Sequence, residues 1–366
     1  MRGMKRLLYF ASSYGCGLTA LCVEHACAMA SHGADLVCIS DPREQYPGLA
    51  AILDRHHIQN KNIPGLEVHA HLPTLVRQLR EQLVQLRPEV IQVQTNWHLL
   101  LVLLALRGTR MTCKVVCWLH AFRHNYPVKS VIAQAMIGTS LAVAADRVIV
   151  SSSSTWRKFA FLGSKLWLSM LGVEESFFQP YQPIEALPTP IRLIFAGEFR
   201  KGKNQEWLVR SLSEYRQQSG DNNVQLVLPG EGPLRLCCQD LARRLGVEDF
   251  VEFPGSIDRR QMLQQYQRAH CALVPTNYET FGLSIAEPLV LGKIVISRRV
   301  GCAEDAIVHG HNGFFFDTQP ELTDLLVRIL PDLTRWSHIG LQAFEQRKVF
   351  SWKTIVPAYL QMLEHL

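Results

Sequence analysis

The apolar residues of this chain gather in short runs divided by polar stretches rich in glycine and proline. In the first half, β-type runs at 6–11, 35–40, 90–93, 114–120 and 147–150 alternate with helical patterns at 20–31, 72–86 and 131–145. Continuous apolar runs of this length suit strands buried on both faces, and their alternation with helices predicts a parallel sheet covered on both sides. A second alternation follows. Strands are predicted at 191–196, 224–228, 250–253, 272–275 and 294–297, with helices at 205–217, 234–245, 259–269 and 284–291. Between the two series lies QPYQPIEALPTP at 179–190, whose four prolines favour extended chain. The pattern therefore predicts an α/β protein with two Rossmann-like, doubly wound parallel-sheet domains, 1–178 and 191–350, joined by a linker at 179–190. Ligands of such sheets bind beyond the carboxyl ends of the strands, so both sets of loops are expected to face a central cleft.

Composition narrows the picture. The chain has 366 residues, 48% apolar and 19% charged, enough for two packed cores and unlike a disordered chain. Its ten cysteines are scattered without a CxxC pair, which predicts reduced, buried thiols, a cytoplasmic protein and no zinc site. The stretch at 7–11 is too short for a signal-peptide core, and 131–145 is too short for a membrane span. The net charge of +6 is uneven: residues 1–180 hold 18 Lys and Arg against 11 Asp and Glu. That excess suits peripheral contact with an anionic membrane, whereas no basic run interleaved with aromatics suggests nucleic acid.

Two segments carry candidate chemistry. After the first strand comes Gly15-Cys16-Gly17-Leu18-Thr19-Ala20, which fits G-x-G-x-x-A, with Asp41 at the end of the second strand. This pattern fits an NAD(P)-dependent oxidoreductase, although Ser12, Ser13 and Tyr14 lengthen the loop beyond that fingerprint. The second segment runs from Pro275 to Pro288 and contains Glu279, Phe281, Gly282, Leu283 and Glu287. A strand ends, a loop bearing Glu279 crosses its carboxyl edge, and a helix opens near Leu283. Backbone N–H groups at Phe281, Gly282 and Leu283 would favour an anionic diphosphate there. Glu287, one turn further on, can accept a pair of vicinal hydroxyls.

This segment resembles the E-x7-E signature of retaining GT-B glycosyltransferases, specifically glycosyltransferase family 4. The resemblance extends through Gly292-Lys293-Ile294-Val295-Ile296, Val300-Gly301-Cys302-Ala303-Glu304 and His309-Gly310-His311-Asn312-Gly313. Upstream it takes in the phosphate-loop-like segment from Ala196 to Gln205, the Pro229-Gly230-Glu231-Gly232-Pro233 turn, the strand-end His120 and the glycine loop at Gly17. Phe350-Ser351-Trp352 resembles the family's return of the chain to the first domain, which implies that helix 351–366 packs there. Leu171-Gly172-Val173-Glu174 resembles the family's N-G-V-D, with leucine in the asparagine place, and is assigned no chemistry.

The resemblance implies transfer of a sugar from a nucleoside diphosphate sugar to a hydroxyl of a glycan or lipid-linked acceptor. Configuration at the anomeric carbon would be retained, no cofactor or metal would be needed, and the setting would be surface polysaccharide or lipopolysaccharide synthesis. His120, Lys203 and Glu279 are the implied catalytic residues. Gly17, Arg200, Lys203, Glu279, Phe281, Gly282, Leu283 and Glu287 are the implied donor site. Glu198 stands where the family usually has a diphosphate-binding arginine, leaving Arg200 or Lys201 to take that part. Gln92 and Gln94 stand where the family has H-x-H. The oxidoreductase and a sugar-nucleotide-binding protein without catalysis remain the alternatives.

Overall fold

The computed structural model describes residues 6–11, 16–42, 48–66, 71–120, 138–139 and 141–366. Gly15 and most of the helix expected at 131–145 lie outside these residues. The chain divides into two compact units, one of Met1–Gly172 with Ser351–Leu366, the other Val173–Phe350. The proline-rich 179–190 falls within the second.

The first unit holds a seven-stranded parallel sheet: β1 (Leu7–Phe10), β2 (Leu36–Ser40), β3 (Gln59–Asn62), β4 (Val90–Val93), β5 (Lys114–Trp118), β6 (Arg147–Val150) and β7 (Leu166–Leu168), in the order β3-β2-β1-β4-β5-β6-β7. The residues of β1, β2 and β4 are all buried, as a sheet covered on both faces requires. β3, QNKN, has no apolar residue and sits at the sheet edge. It is held to β2 by backbone pairing and by the Ser40 hydroxyl, which donates to Asn62 Oδ1 at 3.0 Å and accepts from the Asn60 amide at 2.9 Å. The helix Trp352–Glu364 packs on the helix Cys16–Ser31. Trp352 stacks on buried His25 at 4.9 Å, and the Tyr359 hydroxyl donates to Gln92 of β4.

The second unit holds six parallel strands: β8 (Ile191–Ile194), β9 (Val224–Pro229), β10 (Val251–Gly255), β11 (Cys271–Val274), β12 (Ile294–Ser297) and β13 (Phe314–Phe315), in the order β10-β9-β8-β11-β12-β13. Counted within the unit this is 3-2-1-4-5-6, the doubly wound order. Its direction reverses between β8 and β11, where the following loops diverge and open a crevice for ligand. Among the described residues no helix is long and apolar enough to cross a membrane.

Candidate active site

In the second unit, Lys203 follows β8 and Glu279 follows β11. These strands pair directly, Cys271 opposite Leu193, so their trailing loops meet at the reversal point. The two loops are laced together. Asn204, in the left-handed region at φ 56°, donates its side-chain amide at 2.8 Å both to the Pro275 carbonyl and to the Asn277 side chain. The Asn277 N–H donates to the Gly202 carbonyl at 2.8 Å. A third loop braces the first: Phe199 N–H donates to Glu231 at 2.8 Å, and Leu234 N–H donates to Phe199 at 3.0 Å.

Within this frame the Lys203 ammonium forms an ion pair with the Glu279 carboxylate, their side chains 12% and 14% exposed. Little water reaches the pair, so loss of one partner would leave the other a poorly hydrated, uncompensated charge. An ammonium has three donors, so the bond to Glu279 leaves two for an anion.

Gly282 precedes the helix Leu283–Val290 with φ 95°, a conformation suited to glycine, and a Cβ there would lie 3.2 Å from the Glu279 side chain. Gly301 is more restricted, since a Cβ would lie 2.1 Å from the Phe281 carbonyl oxygen and 2.8 Å from Glu279. That carbonyl accepts from Cys302 N–H at 2.7 Å. The glycines thus let two loops close around Glu279, and the first N–H groups of the helix lack intrahelical acceptors, as at any helix start. The Phe281 ring itself is buried.

Glu287 lies on that helix and is 3% exposed. Burial raises its carboxyl above the ordinary value, against the opposing pull of Arg259, whose Nη1 donates to it at 2.6 Å. Arg200 pairs with Glu198 at 3.1 Å, both well exposed, so part of its charge is already spent on the residue in the family's arginine place. Lys201 is exposed. Sequence reasoning missed a further cation, Arg298, which follows β12, donates to Asn277 and sits 5.6 Å from the Trp207 ring centroid. It also missed Arg259 and gave Glu174 no part, although these two pair at 3.1 Å. No local motif marked either arginine; strand order brings Arg298 to this loop.

The remaining expected residues belong to the first unit. Gly17 lies in the first turn of the helix Cys16–Ser31. His120, just past β5, is buried and stacks on Trp118 at 5.4 Å. Gln94 Oε1, 2.8 Å from His120 Nε2, can only accept, so the proton sits on Nε2. Burial lowers the His120 pKa to about 3, making the ring neutral near pH 7. Among the described residues no three His, Cys, Asp or Glu side chains group as metal ligands.

Two doubly wound parallel-sheet units, one with a cation and carboxylate at its reversal point, define a GT-B glycosyltransferase fold. Solved structures share it: Anabaena Alr3699/HepE in complex with UDP-glucose has a TM-score of 0.80 at 18% identity, over 99% of this chain and 100% of that one. The lipopolysaccharide outer core galactosyltransferase WaaB, in its apo form, has a TM-score of 0.70 at 16% identity, over 98% of this chain and 99% of that one. Residues 180–332 match the family described as Glycosyl transferases group 1, and residues 16–164 match Glycosyltransferase Family 4. The chain belongs to these glycosyltransferases. Among curated relatives, the D-inositol 3-phosphate glycosyltransferase of Corynebacterium diphtheriae is 28% identical over 167 residues, 44% of this chain and 39% of that protein. The match thus spans well under half of that relative's length.

Proposed function

We propose that this protein is a retaining glycosyltransferase that moves a sugar from a nucleoside diphosphate sugar to a hydroxyl of a glycan or lipid-linked acceptor. The observation that carries the reading is the Lys203–Glu279 pair set beside the Leu283–Val290 helix start at the sheet's reversal point. Breaking the bond from the anomeric carbon to the diphosphate leaves negative charge on the departing oxygen. The free donors of Lys203 and the N–H groups at Gly282 and Leu283 stabilise that charge without moving. Glu279 fixes the ammonium and takes the donor sugar's hydroxyls, while Glu287 takes those of the ribose.

The acceptor oxygen forms its bond on the face the diphosphate leaves, and its proton passes to a departing phosphate oxygen. His120, neutral and held by Gln94, hydrogen-bonds the donor sugar. The chemistry asks for no cofactor. WaaB's named role in lipopolysaccharide outer core and the basic first half of the chain support an acceptor at the cytoplasmic membrane face, within surface polysaccharide or lipopolysaccharide synthesis.

Incubating the purified protein with α-linked nucleoside diphosphate sugars and a panel of glycan and lipid-linked acceptors tests this. Proton NMR of the product should show an α-glycoside. A β-linked product would remove retention, and no turnover with any donor would remove the transferase reading.

A further inference from the structure

We propose that Arg259 is a positioning residue of the nucleotide site: held by Glu174 and Phe177, it fixes the Glu287 carboxylate in the ionised, oriented form that accepts the two ribose hydroxyls. This rests on the reading of Glu287 given above.

The geometry is that of a braced cation. Arg259 opens the helix Arg259–Arg268, whose start is fixed by a reciprocal cap: Gln261 N–H donates to Asp258 Oδ1 at 2.8 Å, and Asp258 N–H donates to Gln261 Oε1 at 2.9 Å. Its guanidinium spans two carboxylates, Nη1 to Glu287 at 2.6 Å and Nε to Glu174 at 3.1 Å. Its centre lies 4.6 Å from the Phe177 ring centroid, so the plane is supported as well as paired. Glu174 caps one short turn, Glu175–Phe177, and Phe177 ends it.

Exposure is graded across the cluster: the Glu287 side chain is 4% exposed, while those of Arg259 and Glu174 are 33% and 31%. The buried carboxylate thus lies behind partners that are themselves part-exposed. Arg259 engages Oε1 of Glu287, leaving acceptor capacity on the group for a diol. Two carboxylates against one guanidinium keep the cluster net negative, which suits hydroxyl donors. The charged or titratable groups around Glu287 are Arg259, Glu174 and Tyr266, the last a buried phenol against the same carboxylate. Without Arg259, burial and the charge of Glu174 both favour the protonated form of Glu287, opposed by the Tyr266 hydroxyl alone, the weakest of these influences.

The test compares uridine diphosphate with its 2′,3′-dideoxy counterpart by calorimetric titration between pH 5.5 and 8. The proteins are wild type, Arg259→Gln, Arg259→Lys and Glu174→Gln, with melting temperature recorded for each. The wild type should prefer the diol by about 10-fold or more, the worth of hydrogen bonds to a charged group. Arg259→Gln should reduce that preference to about twofold at pH 6 and recover part of it as pH rises. Arg259→Lys should restore most of it, and affinity for the dideoxy nucleotide should stay level throughout. An undiminished preference in Arg259→Gln would overturn the proposal. So would an equal loss for both nucleotides, which would make Arg259 a diphosphate ligand or a purely structural residue. A wild type that binds neither nucleotide would instead remove the ribose-site reading itself, and the proposal with it.

Discussion

The two units share a strand order but place different chemistry at their strand ends. Past β8 and β11 of the second unit stand paired charges, Lys203 with Glu279, while Glu287, also past β11, meets Arg259, which follows β10 and pairs in turn with Glu174. In and just past β4 and β5 of the first stand neutral groups that hydrogen-bond and stack: Gln94 on His120, Trp118 against His120, and Tyr359 of the C-terminal helix on Gln92. One topology makes a crevice in each unit, and the side chains at its rim decide what the crevice can do. A charged rim can hold a diphosphate and steady a leaving group. A neutral rim can orient hydroxyls without competing for that charge.

The sharpest way to break this contrast is to remove the second unit's central cation. Lys203→Ala should lower kcat/KM for sugar transfer about 10²- to 10³-fold, the range for loss of a fixed donor at a developing oxyanion. Lys203→Arg should recover part of it. Steady-state rates at saturating acceptor check this; a fall below fivefold would move the phosphate contact elsewhere, with Arg298 the next cation to test.

Acidification separates the units in a second way. His25 and His120 of the first unit have pKa values lowered from 6.5 to about 3 by burial. Below pH 6.5 the unfolded chain binds protons that the folded unit refuses, so folded stability falls as pH drops, by about 2 kcal/mol per histidine at pH 5. Glu287 works the other way. Its raised carboxyl pKa makes the folded form take up a proton first, so this group adds stability as pH falls toward its ordinary value of 4.5. His270, which accepts from Arg192 N–H of β8 just before β11, is lowered to about 4 by burial, so the second unit carries one such histidine against two in the first. Hydrogen exchange at pH 5 and pH 7.5 should show protection lost in both sheets, with the larger loss at β1 and β4. Unchanged protection in both sheets would contradict the assignment of buried neutral histidines.

The smallest effect is expected at Arg200. Because it is exposed and already paired with Glu198, Arg200→Ala should weaken donor binding about two- to fivefold, and salt should erase most of the difference. A loss greater than about 50-fold at physiological salt would show that Arg200 leaves Glu198 to grip the diphosphate.

Where burial on both faces writes itself as an apolar run, sequence and structure agree closely: β4, β6 and β12 begin and end at the expected residues. The strands that escape notice are at or near sheet edges. β3 has no apolar residue, and β13 is a two-residue strand whose pairing with β12 depends on the neighbour. The helix Asn96–Leu106, NWHLLLVLLAL, is apolar nearly throughout and so shows little period for a helix pattern to reveal.

The site divides in the same manner. Lys203, Glu279 and Gly282 lie in contiguous motifs and could be named from the resemblance of those motifs to the family's. That Lys203 meets Glu279 depends on β8 pairing with β11, and that Glu287 meets Arg259 and Glu174 depends on three segments far apart in the chain. These partnerships become visible only once the sheet order is known.

The central claim, that the second unit binds a nucleoside diphosphate sugar through Lys203, is most directly tested by thermal melting of wild type and Lys203→Ala across a panel of nucleotide sugars. A ligand that binds only the folded state at about 100 times its Kd adds about 2.7 kcal/mol, or roughly 5–10 °C for a domain of this size. The account predicts such a rise for at least one donor in wild type and little or none in the variant. No rise with any nucleotide sugar, or the same rise in both proteins, would contradict it.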